Sequence, residues 1–286
     1  MLNEFNLTNA TNPTNTTKLM KIGLIAGSGQ FPILFSKKAR SKGFSIYAVA
    51  FQNETDSNLK NYVEAIEWLH LGQLKRLIKF FHKHAVNQVV MMGAITKTRM
   101  FRDVKPDLKA ISIVFDLKHT HDDGLLSTFA GVLEEEGLEV KASTFLLPEL
   151  LAREGCWTKR KPSSSEKADI ELGWKLAKEI GRLDIGQCIV IGGGSVLAVE
   201  AIDGTDATIK RGGRLGNGTA VVVKVSKPNQ DIRFDVPAVG FQTIEVMHAS
   251  NTRALAVEAG KAVVFDRQEM IALADQYDIS IVALHK

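Results

Sequence analysis

The thirteen residues Met20–Pro32, MKIGLIAGSGQFP, set the reading of the fold. Ile22–Ala26 is a short apolar run with the character of a buried strand. Gly27-Ser28-Gly29 breaks it, and Pro32 suits the first turn of a helix that runs to Lys42. Working outward, the same alternation recurs. Phe44–Phe51 is a second β-rich run, and Gln73–Lys83 carries Leu74, Leu77, Ile78 and Phe81 on one helical face. Gln88–Met92 is a third strand, ending in Gly93. A helix capped by Asp122 or Asp123 runs to Glu136 and stops at Gly137, and Leu138–Ala142 is a fourth strand. Strand and helix in alternation predict parallel pairing with helices on both faces.

The texture changes after Pro148. Residues 158–167, TKRKPSSSEK, read as an exposed loop, and a helix from Glu166 to Gly181 follows a Ser-rich cap. Short β runs come next at Gln187–Ile191, Val196–Ala201 and Thr219–Val225, with hairpin chemistry in the intervening GGGS. A helix from Phe241 and a strand-helix-strand ending at Leu284 close the chain. The expectation is an α/β protein of two domains: a Rossmann-like parallel sheet with flanking helices over residues 20–145, and an α/β domain with a mixed sheet over 146–286. Residues 1–19, polar and rich in Asn and Thr, read as a disordered tail without the form of a secretory signal, and Met20 is a second candidate for the initiator.

Composition narrows the function. The 286 residues are 45% hydrophobic and 24% charged, and the net charge of +4 is spread along the chain, so nucleic acid is not an expected partner. No apolar run is long enough to span a membrane, and two cysteines without CxxC spacing fit a reducing cytoplasm.

Four segments could carry chemistry. Gly27, Ser28, Gly29 and Gln30, between a strand and a helix start, suit a phosphate or nucleotide, and a tight turn without a ligand accounts for them equally well. The complete dinucleotide motif is absent because Pro32 occupies its last position; Glu54 is the nearest acid for a ribose role. In HTHDDGLL, Asp122 and Asp123 are either ligands or helix caps. In Val199–Gly218, VEAIDGTDATIKRGGRLGNG, Asp203 and Asp206 could hold Mg²⁺. Thr205 and the glycine backbone could donate to phosphate, and Lys210 and Arg211 could balance its charge; a loop of Asx-turns beside a solvated basic patch is the simpler account. In Lys227–Gly240, KPNQDIRFDVPAVG, Asp235 lies between Phe234 and Val236, where a carboxylate is desolvated or paired, with Arg233 as an available partner; Lys227 is a further phosphate contact.

Taken in order, GLIAGSGQFP, DDGLL, LPELL, ADIELGW, AKEIGRLDIGQ, VLAVEAIDGTDATI and RFDVPAVG resemble the UDP-2,3-diacylglucosamine diphosphatases of the LpxI type, from lipid A synthesis in Gram-negative bacteria. The resemblance runs from Lys21 to the C-terminus. It implies Mg²⁺-dependent hydrolysis of a pyrophosphate to UMP and lipid X, with the lipid product held between two domains. It also implies that the essential aspartate is Asp235. Matches to family motifs at Asp122, Asp123, Glu200, Gly204, Thr205 and Asp206 extend the expected site. Catalysis then falls to Asp235, Asp206 and Thr205, and the metal to Asp235 with Asp206 or Asp123. Substrate contacts fall to Gly27–Gln30, Asp122, Asp123, Glu200, Gly204, Lys210 and Lys227. A peripheral contact with the inner membrane and a homodimer are compatible with this reading. Another nucleotide-sugar hydrolase or transferase and a non-catalytic lipid-nucleotide sensor stand as alternatives.

Overall fold

The computed structural model describes residues 20–95, 105–107, 110–111, 122–233 and 236–286, with side chains of the helix at 122 described from residue 126 onward. The expected tail at 1–19 lies outside these residues. The N-terminal domain contains β1 (Met20–Ala26), α1 (Phe31–Ser41), β2 (Phe44–Phe51), β3 (Ala65–Leu69), α2 (Leu74–Lys83), β4 (Gln88–Met92), α3 (Asp122–Glu135) and β5 (Glu139–Lys141). Its sheet is parallel throughout, in the order β3-β2-β1-β4-β5.

Alternation along β1 explains both layers. Ile22, Leu24 and Ala26 point to the α1 side, where they pack with Phe35 and Ala39. Ile25 points to the other side, among Leu77 and Phe81 of α2 and Ala130 and Leu133 of α3. Each fully buried side chain of this size contributes roughly 1.5–3 kcal/mol. The sequence reading omitted β3, whose half-buried AIEWL edge lacks a continuous apolar run.

The C-terminal domain contains β6 (Gly155–Cys156), α4 (Ser164–Arg182), β7 (Cys188–Gly192), β8 (Ser195–Val199), α5 (Thr205–Gly216), β9 (Ala220–Lys224), β10 (Ala238–Val239), α6 (Phe241–Ala249), β11 (Thr252–Glu258), β12 (Val263–Val264), α7 (Arg267–Gln276) and β13 (Ser280–Leu284). The main sheet runs β6-β13-β11-β9-β7-β8, with β9, β11 and β13 parallel and the outer strands antiparallel; β10 and β12 form a small parallel pair. The sheet is therefore mixed, as expected. Helix α4 covers one face through Ile170, Trp174 and Ala177, and α5, α6 and α7 cover the other. Helix α4 starts two residues earlier than the sequence suggested because Ser163 is its N-cap: Ser163 Oγ accepts from Glu166 N, and the Glu166 carboxylate accepts from Ser163 N. The expected hairpin joins β7 to β8 through Gly193 and Gly194, both at positive φ (56° and 74°).

The chain changes cores between Leu147, buried in the N-terminal domain, and Ala152, buried in the C-terminal one. Several contacts among the described residues join the domains. Phe31 packs edge-on against Phe265 at 5.2 Å, Gln30 Nε2 donates to Asp266 Oδ2 at 3.1 Å, and Arg233 reaches Glu134 at 2.8 Å.

Candidate active site

In the N-terminal domain, strand order reverses between β1 and β4, and a crevice opens at such a point at the carboxyl ends of the strands. Here the two end loops are stitched together. Gly27 N donates to Met92 O at 2.8 Å, Ser28 N donates to Ala94 O at 2.8 Å, and Ser28 Oγ donates to the same carbonyl at 2.8 Å. A Cβ on Gly27 would lie 2.5 Å from Ala94 O, and one on Gly93 would lie 2.6 Å from Ser28 O. These glycines let one loop close on the other, so the amides of Gly27 and Ser28 are committed to the protein itself. Gly29 differs, with φ +90° and open space where a side chain would stand. It lines a cavity of about 330 Å³ with Gln30, Lys37, Glu54 and Asp56.

Gln30 borders a second cavity, of about 340 Å³, whose other walls are residues 238–243, Phe265 and Asp266 of the C-terminal domain. Three helix N-termini converge on it: Gln30 is the N-cap of α1, Gly240 of α6 and Asp266 of α7. N-terminal amides of a helix lack intrahelical acceptors and carry partial positive charge that attracts anions, against which the Asp266 carboxylate sets one negative charge. Asp266 sits at φ +47°, and its carboxylate accepts from Gln30 across the domain boundary.

The expected C-terminal residues gather at one end of the sheet. Cys188 pairs with Lys224 and Val199 with Ile189, which places the end of β8, the start of α5 and the carboxyl end of β9 together. Glu200 is buried here. Its Oε1 accepts from Thr205 Oγ1 at 2.6 Å and its Oε2 from Gln187 N at 2.9 Å, so Glu200 and Thr205 serve each other. Gly204, at φ +82°, is the N-cap of α5. Asp203 pairs with Arg211, whose guanidinium holds its carboxyl below the usual carboxylate range; Arg211 also donates to Val199 O at 2.7 Å. The cation that the sequence offered to a phosphate is thus engaged by Asp203. Asp206 and Lys210 stay exposed on α5.

Lys227, the other expected phosphate contact, donates to Asp184 at 2.5 Å. It belongs to the segment that links β9 to β10, which is pinned at its start. Ser226 N donates to Glu258 at 2.9 Å, Lys178 Nζ bridges Ser226 O and Glu258, and Gln230 accepts from Ser226 Oγ and Lys227 N. At its far end Lys224 Nζ donates to Ala238 O at 2.9 Å, and Val263 N donates to Pro237 O at 2.7 Å. Asp235 lies in this segment, outside the described residues, as do the side chains of Asp122 and Asp123. Both ends of the segment are therefore anchored, and its far end, Ala238, is part of the cleft wall.

Sequence reasoning gave no role to Asp184 and Lys178, which lie in the AKEIGRLDIGQ motif, and passed over Lys224 and Glu258. The last two each terminate an apolar strand (AVVVK and TRALAVE), and a charge at the carboxyl end of a buried strand was the available signal. Among the described residues no three His, Cys, Asp or Glu side chains are grouped to hold a metal. A Mg²⁺ ion needs only one or two carboxylates alongside phosphate oxygens. The exposed Asp206, without an ion pair among the described residues, fits such a ligand.

Comparison with known proteins follows the same division. Residues 21–150 match the family model of the LpxI N-terminal domain, and residues 153–282 match that of the LpxI C-terminal domain. The chain is 30% identical over 277 residues to the UDP-2,3-diacylglucosamine pyrophosphatase LpxI of Caulobacter vibrioides, covering 93% of this chain and 98% of that protein. Solved structures offer only slight likeness. The CobK precorrin-6A reductase gives a TM-score of 0.32 at 10% identity over 94% of this chain and 88% of that one. The biotin carboxylase domain of Hydrogenobacter thermophilus 2-oxoglutarate carboxylase gives 0.27 at 11% identity, covering 62% of this chain and 36% of that one. These two likenesses carry no argument. The alternatives left open by the sequence are corrected here: a different nucleotide-sugar enzyme and a non-catalytic sensor give way, because the relative matched over nearly its whole length bears a pyrophosphatase name.

Proposed function

This chain belongs to the LpxI family, and from that premise we propose that it is a hydrolase that cleaves the pyrophosphate bond of UDP-2,3-diacylglucosamine. One observation carries the reading beyond kinship: three helix N-termini face one interdomain cavity of about 340 Å³. A pyrophosphate placed there meets partial positive charge from both domains at once.

Hydrolysis adds the oxygen of water to one phosphorus and breaks that phosphorus's bond to the bridging oxygen. The bridging oxygen leaves with the electron pair on the other phosphate, giving UMP and 2,3-diacylglucosamine 1-phosphate, lipid X. Such a reaction depends on positioning and on neutralising charge. Asp235 is assigned, by its place in the DVPAVG motif, to orient the water and take its proton. The Glu200–Thr205 pair fixes the start of α5 and so the exposed carboxylate of Asp206. The segment that holds Asp235 in sequence is anchored at Ser226 and at Ala238, and Ala238 is part of the cleft wall. Gly29 and Gln30, with Glu54 beyond them, receive the uridine end in the adjoining cavity. Mg²⁺ would supply positive charge to the phosphate oxygens, with Asp206 or Asp123 as its ligands and Asp235 as a ligand in place of its role toward the water. No helix among the described residues is long and apolar enough to cross a membrane. In this reading the diacyl substrate is met at the cytoplasmic surface of the inner membrane.

The test is UMP release from UDP-2,3-diacylglucosamine by the full chain and by Asp235→Ala, each with Mg²⁺ and with EDTA. Release by the unaltered chain with Mg²⁺ alone is expected. A folded protein that releases no UMP would refute the function, and an active Asp235→Ala would remove that residue from the chemistry.

A further inference from the structure

Lysine is rarely buried unless it is paired, because taking an ammonium out of water is costly. The C-terminal domain has three lysines of low exposure at the carboxyl end of its sheet. Two obey the rule: Lys178 meets Glu258 at 2.6 Å and Lys227 meets Asp184 at 2.5 Å. Lys224 is the most buried, at 8% exposure, and it makes no ion pair among the described residues. Its ammonium has three N–H groups, and it gives one to the Ala238 carbonyl at 2.9 Å. The buried carboxylate on the same side of the sheet, Glu200, is committed to Thr205 and Gln187.

Its position is informative. Ala220 and Val222 place the even-numbered positions of β9 on the face covered by α5 and α6, and Lys224 continues that row to the end of the strand. Ala238, which accepts its hydrogen bond, is a wall of the interdomain cavity, and the wall continues into the N-terminus of α6. A cation therefore lies one hydrogen bond behind the cavity surface, where helix-terminal amides already favour negative charge.

We propose that Lys224 is a substrate-binding residue whose ammonium takes a phosphate oxygen of the pyrophosphate, the substrate supplying a counter-charge that no described residue supplies. This rests on the hydrolase reading above. The energetic logic is that a buried cation left partly unsatisfied in the folded chain contributes most when an anion arrives, and most of all as charge builds on the phosphate that leaves.

Three variants separate this role from a tether that only holds β10. Lys224→Met removes charge and donor. Lys224→Gln keeps a donor for Ala238 O but no charge, and Lys224→Arg keeps both. UMP release from UDP-2,3-diacylglucosamine gives kcat and KM for each, with a melting curve beside it. Loss of about 100-fold or more in kcat/KM for both Met and Gln, with Arg within about 10-fold of the native chain, is expected. If Lys224→Met does not fold, Lys224→Gln decides. Activity near the native level in Lys224→Gln would overturn the proposal and leave a tether, as would an active Lys224→Met. No release by the native chain would instead overturn the hydrolase reading, and the proposal with it.

Discussion

Replacing Glu258 by glutamine should cost the C-terminal domain about 2–3 kcal/mol at pH 7, and the cost should vanish in acid. Glu258 is 2% exposed at the carboxyl end of β11. Its Oε2 accepts from Lys178 Nζ at 2.6 Å and Ser226 N at 2.9 Å, and its Oε1 meets Lys261 Nζ at 2.9 Å. Lys261 is half exposed and adds little. Lys178 is mostly buried, so its attraction to Glu258 is the main term. Truncating one partner of a buried pair costs about 3–5 kcal/mol; glutamine keeps the volume and one acceptor, which puts the loss at or just under the lower limit. Burial pushes the Glu258 carboxyl up, but hydrogen bonds from Lys178, Lys261 and Ser226 outweigh it and hold the group below the ordinary glutamate value. A carboxylate depressed in the folded state stabilises fully above its unfolded pKa, about 4.3, and loses that contribution as pH falls through the folded value. The gap between native and variant should be constant from about pH 5 to pH 8, begin to narrow as pH falls through the unfolded value of about 4.3, and close only below the folded pKa. Urea denaturation followed by circular dichroism at stepped pH measures it. A gap under about 0.5 kcal/mol at pH 7, the scale of an ordinary surface substitution, would refute the reasoning, as would one that persists unchanged in acid.

Two glycines two residues apart should fail for different reasons. Gly27→Ala drives a methyl into the Ala94 carbonyl and should cost about 3 kcal/mol, while Gly29→Ala meets nothing but must hold φ near +90°, costing about 1 kcal/mol. Thermal melts of the pair check the ranking, and equal melting points would show that the two end loops can part without strain. Asp169 is buried and accepts from Gly193 N at 3.0 Å and Gly194 N at 2.7 Å. Asp169→Ala should cost about 2 kcal/mol and speed amide exchange at both glycines, and unchanged exchange would mean that the turn holds itself.

The layers of both domains were legible because burial imprints a period on the chain. The alternation Ile22, Leu24, Ala26 against Ile25, and the stripe Leu74, Leu77, Ile78, Phe81, require no knowledge of partners. The GGGS hairpin was legible because two-residue hairpin turns need positive φ at one or both central positions, which glycine supplies at Gly193 and Gly194. Short strands such as β10 and β12 were not, since two residues carry no period.

The site divides along the same line. By itself the sequence determined the two α/β domains, the loops that interrupt their strands, and the motifs that tie the chain to its family, because local pattern and residue order are properties of the chain alone. Which of those residues are occupied with one another was decided only by tertiary structure. Arg211 and Lys227 look like free phosphate ligands along the chain, yet Asp203 and Asp184 lie across from them. Gly27 looks like a phosphate glycine, yet Gly93 and Ala94 fill its space. Lys224 looks like the polar end of a strand, yet it is the buried ammonium behind the cleft wall. Pairing, burial and the convergence of three helix N-termini depend on segments up to 236 residues apart, and no local pattern records which of them will meet.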